Sequence, residues 1–194
     1  MNKQFSKLYN LKSLKIYFLL PFFILVACNH NKRHGKDNSN ISDNQIGKVI
    51  KIVDGDTYDI LIEGNNTIRI RMFGIDAPEK GMPYYIVAKN YLGDLCFKKN
   101  INIRKTDIDQ HGRTVAKSYL DDGRELGAEM VKAGLAWHYK KYDPDDSILA
   151  NLENRAKENR IGLWADSHPI APWEIRKLHR QGISTVDSFA NTNQ

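Results

Sequence analysis

Acidic residues recur at two points where predicted strands meet turns. Asp54 and Asp56 flank Gly55 after one apolar strand, and Asp76 and Glu79 follow another. Three short strands joined by tight turns predict an antiparallel meander, in which the start of the second strand and the end of the third lie together. Asp56 can therefore approach Asp76. Two converging carboxylates repel each other unless they hold a hard cation, so these residues indicate a metal site.

The residue types narrow the choice of metal. Calcium suits flexible coordination by carboxylates, carbonyls and water, whereas magnesium suits fewer protein ligands and a stricter geometry. The paired histidines or sulfur ligands typical of zinc are missing from these segments. The residues themselves leave calcium and magnesium both open.

Two arginines accompany the acids. Arg71 lies shortly before Asp76, and Arg113 follows His111 and a glycine. Arginine is always protonated and binds phosphate through two parallel hydrogen bonds, so it can stabilise the charge that develops when a phosphodiester is cleaved. Glu79 then becomes the candidate water-orienting group or general base. Each motif alone fits an ordinary turn or surface cation, and only their joint occurrence favours catalysis.

The elements that must position these residues are short. The predicted strands share partial apolar alternation and span 48–53, 57–62, 67–72, 102–104 and 113–120. The predicted helices span 83–97, 126–133 and 145 or 147 to about 162. Five strands with a helix between the third and fourth predict an α+β protein: a five-stranded OB-fold Greek-key barrel with about three flanking helices.

The N-terminus predicts export. Four lysines and no acids precede an apolar run at residues 16–27, which is too short to span a bilayer comfortably and is typical of a signal peptide. The run ends in Leu-Val-Ala-Cys, which resembles a lipobox with Cys28 as the acylated residue. The alternatives are an ordinary signal peptide and an N-terminal membrane anchor. Lipidation predicts a protein tethered to a bacterial membrane, on the extracytoplasmic side of the envelope.

The remaining organisation follows from composition. We expect a signal peptide at 1–27, a flexible linker at 28–45, one domain at 46–166, and a C-terminal strap and polar tail at 167–194. Without residues 1–27 the net charge falls from +6 to +2, so nucleic acid must be attracted by locally placed cations. Cys96 lies in an apolar-periodic stretch that favours a buried free thiol, with a disulfide to Cys28 as the alternative.

Five segments together resemble the staphylococcal nuclease family. They are Val-Asp-Gly-Asp-Thr at 53–57, the run 71–79, His-Gly-Arg at 111–113, Ala-Gly-Leu-Ala-Trp at 133–137, and Arg-Ile-Gly-Leu-Trp at 160–164. The resemblance covers about residues 46–166 and implies an OB-fold barrel with one catalytic Ca²⁺. It implies that Asp56 and Asp76 supply carboxylate ligands and that Ala77 supplies its backbone carbonyl. The archetype has threonine at the Ala77 position, and a carbonyl ligand survives that change.

The resemblance also implies roles in the reaction. Arg71 and Arg113 match the phosphate-binding arginines, and Glu79 matches the residue that handles the attacking water. Family members cleave DNA and RNA and leave a 3′-phosphate and a 5′-hydroxyl. His111 stands where the archetype has tyrosine, and either substrate contact or packing is compatible with it.

An aromatic and basic segment follows residue 136. Tyr139 and Tyr142 are candidates for stacking on a base, and a core position is the alternative for either. Lys140 and Lys141 are candidates for phosphate contact, although exposed lysines usually only solvate a surface.

The expectation is therefore a calcium-dependent nuclease that acts on DNA, RNA or both, works as a monomer without an obligate protein partner, and is attached to the envelope by a lipid. A noncatalytic OB-fold nucleic-acid-binding lipoprotein is the alternative, because this barrel type also supports binding without chemistry. A degraded acidic set would favour that alternative, but Asp56, Asp76 and Glu79 are all present. A structural envelope lipoprotein is a third possibility that leaves the clustered charges unexplained.

Overall fold

The computed structural model describes residues 43–184. The predicted signal peptide, the predicted lipidation site Cys28, most of the predicted linker and the last ten residues of the tail lie outside this part of the chain. Within residues 43–184, no helix combines the length and the apolar character that crossing a bilayer requires.

Five strands close into a barrel, as the sequence predicted. The strands of the described residues are β1 (Asn44–Ile52), β2 (Thr57–Ile62), β3 (Asn66–Met72), β4 (Ile75–Asp76), β5 (Asn100–Ile108), β6 (Thr114–Tyr119) and β7 (Trp137–His138), of which β4 and β7 lie outside the barrel. The barrel order is β1-β2-β3-β6-β5, while β4 and β7 form a separate two-stranded sheet. Only the β3–β6 pair is parallel, and the other barrel pairs are antiparallel. The five-stranded OB-type α+β fold is thus confirmed.

Four helices surround the barrel in the described part of the chain. They are α1 (Tyr85–Cys96), α2 (Leu126–Lys132), α3 (Ser147–Glu158) and α4 (Pro172–Arg180). The first three occupy the predicted positions. The fourth, α4, lies within the segment where the sequence predicted only a strap, and it begins with a proline in its first turn, a position that proline favours.

Alternation along β3 separates the core from the surface. Ile68, Ile70 and Met72 are buried inside the barrel, while the two arginines between them point outward. From the neighbouring strand β2, Tyr58 is fully buried and donates its hydroxyl to Ser118 Oγ at 2.7 Å. The barrel interior is therefore a filled apolar core, and polar chemistry is left to its ends and outer face.

Helix α1 closes one side of this core with residues spaced four apart. Ala88, Leu92 and Cys96 are fully buried and belong to the main apolar cluster. The Cys96 thiol donates to the Leu92 carbonyl oxygen at 3.0 Å, and burial raises its pKa to about 12. Cys96 is a free, protonated thiol that fills space in the core.

Two glycines hold the segment after α2 against the segment after α3. Gly134 and Gly162 both have positive φ, and the Leu163 N–H donates to the Gly134 carbonyl oxygen at 2.8 Å. A Cβ built on Gly134 would overlap the carbonyl oxygen of Ile161, so only glycine permits this approach. Two of the five segments that carry the resemblance are therefore structural junctions.

Replacing Gly134 by alanine should destabilise the protein by several kcal/mol, because it adds a steric overlap to the strain of a positive φ. Gly123→Ala is the matched control, since Gly123 also has positive φ but has no atom within 4 Å of an added Cβ. The control should lose only about 1–2 kcal/mol. Urea unfolding of both variants measures the difference, and equal losses would contradict the proposed backbone contact.

Candidate active site

An open groove of about 920 Å³ lies where the β2 start meets the β3 end. Thr57 pairs with Arg71 across the two strands, and the Met72 N–H donates to the Asp56 carbonyl oxygen at 2.9 Å. The meander therefore brings Asp56 to the segment that contains Asp76, as predicted. The groove is lined by all six predicted catalytic and metal residues: Asp56, Arg71, Asp76, Ala77, Glu79 and Arg113.

The turn that carries Asp56 is pressed against Ala77. A Cβ on Gly55 would lie 2.8 Å from the Cβ of Ala77 and 2.9 Å from that of Ala88, so this close approach requires glycine. The approach lets Asp56 Oδ2 accept a hydrogen bond from the Ala77 N–H at 2.8 Å. Asp56 Oδ1 accepts from the Thr57 hydroxyl at 2.9 Å. Both oxygens of Asp56 are thus oriented by neighbouring groups.

Arg71 joins the two acids. Its Nη2 lies 2.8 Å from Asp76 Oδ1 and 3.1 Å from Asp56 Oδ2. Its Nη1 donates to the carbonyl oxygens of Met72 and Ile75 at 2.6 and 2.8 Å. The planar guanidinium therefore fixes the β3–β4 turn and the carboxylate pair at once. In this structure, both terminal nitrogens of Arg71 are engaged with protein oxygens.

The carboxylate pair is buried. Asp56 and Asp76 are 5% and 1% exposed. Burial, followed by the charge of Asp56, raises the pKa of Asp76 to about 6, against the opposing effects of Arg176 and Arg71. Burial and Asp56 also raise the pKa of Asp54, which lines the same groove, to about 7. Additional positive charge at this place would therefore be stabilising.

The donor chemistry fits a hard divalent cation. Asp56 and Asp76 converge as a pair of carboxylates, and calcium completes its six to eight oxygen ligands with carbonyls and water. Among residues 43–184, no three aspartate, glutamate, histidine or cysteine side chains form a metal-binding group. A cation here would take two protein carboxylates.

Glu79 is held by a residue that the sequence did not point to. Arg176 of α4 donates from Nη1 to Glu79 Oε1 at 2.5 Å and from Nη2 to Asp76 Oδ2 at 2.6 Å. With Arg71 on the other oxygen of Asp76, that carboxylate accepts hydrogen bonds from two guanidinium groups.

Arg113 is less engaged with protein groups than Arg71. It lies in the β5–β6 loop, where its Nε donates to Asp109 Oδ2 at 2.6 Å. Asp109 also accepts from the backbone N–H groups of His111 and Arg113, so it fixes the loop. Within residues 43–184, the Arg113 side chain donates a hydrogen bond from Nε only, and its terminal nitrogens donate none to protein. Those nitrogens remain available to an anion in the groove.

The short β4–β7 sheet places the predicted stacking residues. Asp76 pairs with Trp137, and the Tyr139 N–H donates to the Gly74 carbonyl oxygen at 2.7 Å. Tyr139 therefore lies beside the carboxylates, and Tyr142 contacts it edge to face at 4.9 Å. Tyr142, 59% exposed, also lines the groove, so a core position is excluded for it.

The two lysines of this segment differ in their position relative to the groove. Lys141 lines the groove, and its Nζ lies 5.4 Å from the Tyr142 ring centroid. Lys140, the predicted substrate-binding residue, is exposed and is not part of the groove lining. His111 is exposed and lines the groove.

Sequence reasoning missed the contribution of α4 to this groove. Trp173, Arg176 and Arg180 line it. Their spacing of three and four residues, after an Ala-Pro helix start, was the available signal.

Comparison with known proteins connects this geometry to a family. A sequence model described as staphylococcal nuclease homologue matches residues 69–166, which is half of the chain. The chain belongs to this family. It is 38% identical over 171 residues to an uncharacterized endonuclease of Haemophilus influenzae, an alignment that covers 88% of both proteins. The fold expected from the resemblance is therefore the fold of the chain.

Two further relatives carry nuclease names. A micrococcal nuclease of Shigella flexneri is 36% identical over 147 residues, covering 71% of this chain and 84% of the relative. The staphylococcal-like nuclease CAN1 of Arabidopsis thaliana is 43% identical over 114 residues, covering 59% of this chain and 35% of the relative. The matched family segment ends at residue 166, before α4 begins.

Arg71→Lys should lower the free energy of unfolding by about 2–3 kcal/mol, because a single ammonium group cannot replace hydrogen bonds to two carboxylates and two carbonyls. Arg69→Lys is the matched control on the same strand. The Arg69 side chain is 46% exposed, and a lysine there can still contact the buried Asp59, so the loss should stay below about 1 kcal/mol. Urea unfolding separates the two, and a small loss at both positions would contradict the central role of Arg71.

Proposed function

We propose that this protein is a calcium-dependent nuclease that hydrolyses phosphodiester bonds in DNA, RNA or both with little sequence specificity. The main observation in support is that a buried carboxylate pair, Glu79 and the available nitrogens of Arg113 converge on one open groove. Membership of a nuclease family supports the same reaction class. The nuclease names of the relatives agree with it.

Asp56, Asp76 and the Ala77 carbonyl are the proposed ligands of the cation. Calcium is favoured over magnesium because the ligands sit on a turn and a short strand end, and calcium accepts irregular oxygen coordination. When bound, the cation supplies positive charge to the non-bridging oxygens of the scissile phosphate. Arg71 keeps the two carboxylates together while the backbone carbonyls of the β3–β4 turn hold its other nitrogen.

The remaining steps belong to side chains of the groove. Glu79 orients a water molecule and accepts one of its protons as the oxygen attacks phosphorus. The bond from phosphorus to O5′ breaks, and O5′ takes up a proton from solvent, so the products are a 3′-phosphate and a 5′-hydroxyl. Arg113 binds the phosphate through its terminal nitrogens and stabilises the charge that develops on its oxygens.

Low sequence specificity follows from the proposed contacts. Tyr139 and Tyr142 offer ring faces, and stacking tolerates every base because each base has a π-face. Lys141 and Arg113 offer charge to the backbone, which carries no sequence information. The open groove suits an extended single strand of DNA or RNA.

We further propose that the protein acts as a monomer on the outer side of a bacterial membrane, attached through lipid on Cys28. The support for export and lipidation comes from the sequence: a lysine-rich start, a short apolar run and a lipobox-like Leu-Val-Ala-Cys. Two or three acyl chains anchor a protein stably, whereas one binds only marginally.

Purified full-length protein in detergent should cleave single-stranded DNA with CaCl₂ and leave it intact with EGTA, and the ends formed should carry a 3′-phosphate. Glu79→Gln and Arg113→Ala should each lower kcat by roughly 10²–10³. Glu63→Gln, an exposed acid outside the groove, is the matched control and should leave kcat unchanged. DNA that is bound but uncut under both conditions would instead support the noncatalytic binding module.

Cys28→Ala should release the protein from the membrane fraction into the soluble fraction, because the acylated thiol is removed. Metabolic labelling with radioactive palmitate, followed by fractionation, measures the effect. We expect palmitate label on the unchanged protein and no label on the variant. A protein without label whose variant still sediments with membranes would contradict lipidation and favour an uncleaved N-terminal anchor.

A further inference from the structure

Helix α4 forms a wall of the groove with one of its two faces. Pro172 and Ile175 are buried against the rest of the protein. Trp173, Arg176 and Arg180 follow the spacing i, i+3, i+7 and line the groove. The helix is thus docked by an apolar face and presents an aromatic and cationic face to the site.

Arg176 engages both acids that the proposed reaction needs free. Its Nη2 donates to Asp76 Oδ2 at 2.6 Å and its Nη1 to Glu79 Oε1 at 2.5 Å. A carboxylate oxygen that accepts a guanidinium hydrogen bond offers less electron density to a cation, and a glutamate held in an ion pair is a weaker base. Arg176 therefore competes with a divalent cation for Asp76 and, through its second contact, weakens Glu79 as a base.

Trp173 engages the proposed base-stacking residue. Its ring lies parallel to that of Tyr139, with 5.0 Å between centroids and 4° between planes. This is the geometry in which a nucleobase would stack on a tyrosine. One face of Tyr139 is therefore covered by an aromatic ring that belongs to the same chain.

Of the two arginines on Asp76, Arg176 is the one that can exchange. Its side chain is 34% exposed and that of Glu79 is 41% exposed, so water can replace their contact at small cost. The Asp76 side chain is 2% exposed, but it keeps the Arg71 guanidinium when Arg176 leaves. Arg71 is 14% exposed and also holds two backbone carbonyls, so its release would disrupt the turn.

We propose that α4 is a built-in competitor for the groove, in which Arg176 competes with the divalent cation for Asp76 and occupies the Glu79 carboxylate that must handle the attacking water, and Trp173 competes with a nucleobase for Tyr139. The inference rests on the proposed function and adds regulation of the same site. Cation loading and substrate entry then require α4 to withdraw its groove-facing side chains, so the affinity for the cation is lower than the carboxylates alone would provide.

Calorimetric titration of the full-length protein in detergent with CaCl₂ tests the competition directly. Arg176→Met should tighten Ca²⁺ binding about tenfold, since a charge-assisted hydrogen-bonded pair no longer has to be broken. Lys177→Met removes one positive charge from the same helix at an exposed position outside the groove lining. This control should change the dissociation constant less than twofold. Unchanged or weaker binding in Arg176→Met, or an equal gain in both variants, overturns the proposal.

Hydrogen exchange on the unmutated protein gives a test that does not depend on folding of a variant. Once Arg176 and Trp173 leave the groove, α4 is held mainly by its buried Pro172 and Ile175, so its backbone amides should exchange faster with saturating CaCl₂ than with EGTA, while those of β3 should not. Exchange in α4 that is equal or slower with CaCl₂ than with EGTA overturns the proposal that α4 is a competitor. A protein that cleaves DNA with Ca²⁺ and fails these tests refutes only this inference. A protein that neither binds Ca²⁺ nor cleaves refutes the proposed function as well.

Discussion

The burial of two aspartates side by side is the constraint on which the site depends. Asp56 and Asp76 repel each other, and removal from water adds to the cost of their charge. The Arg71 guanidinium contacts both, Arg176 adds a second guanidinium to Asp76, and the turn that carries Asp56 can approach only because residue 55 is glycine. Such a pair is unfavourable for stability alone, so a role in binding positive charge explains it best.

The barrel makes this arrangement rigid. Strands β2 and β3 carry the aspartate turn and Arg71 in a fixed register, and the closing pair β3–β6 brings the β5–β6 loop with Arg113 to the same end. The small β4–β7 sheet then ties the aromatic segment to the carboxylates. Residues from distant parts of the chain thus meet at positions set by backbone hydrogen bonds, which suits a reaction that depends on charge placement.

Helix α4 contributes to the site in a different way from the barrel strands and their loops. It reaches the acids through Arg176, whose side chain is partly exposed, whereas Arg71 of the barrel reaches them from a largely buried position and also holds two backbone carbonyls. The site therefore combines groups placed by the barrel with a cation supplied by a helix outside it. The glycine junction at Gly134 and Gly162 lies outside the chemistry and shows that part of the family motif serves folding.

The sequence determined the local features of this protein. Alternation predicted β3, turn residues predicted the meander, and capping and stop signals placed α1, α2 and α3, because each depends on neighbours within a few residues. The meander in turn brought Asp56 to Asp76 as predicted. Only the tertiary structure selected Arg176 from the 29 lysines and arginines, since its partner Asp76 lies 100 residues away. It likewise paired Trp173 with Tyr139 and left Lys140 outside the groove. No local pattern encodes which distant side chains will meet, because that choice is made by the packing of whole elements.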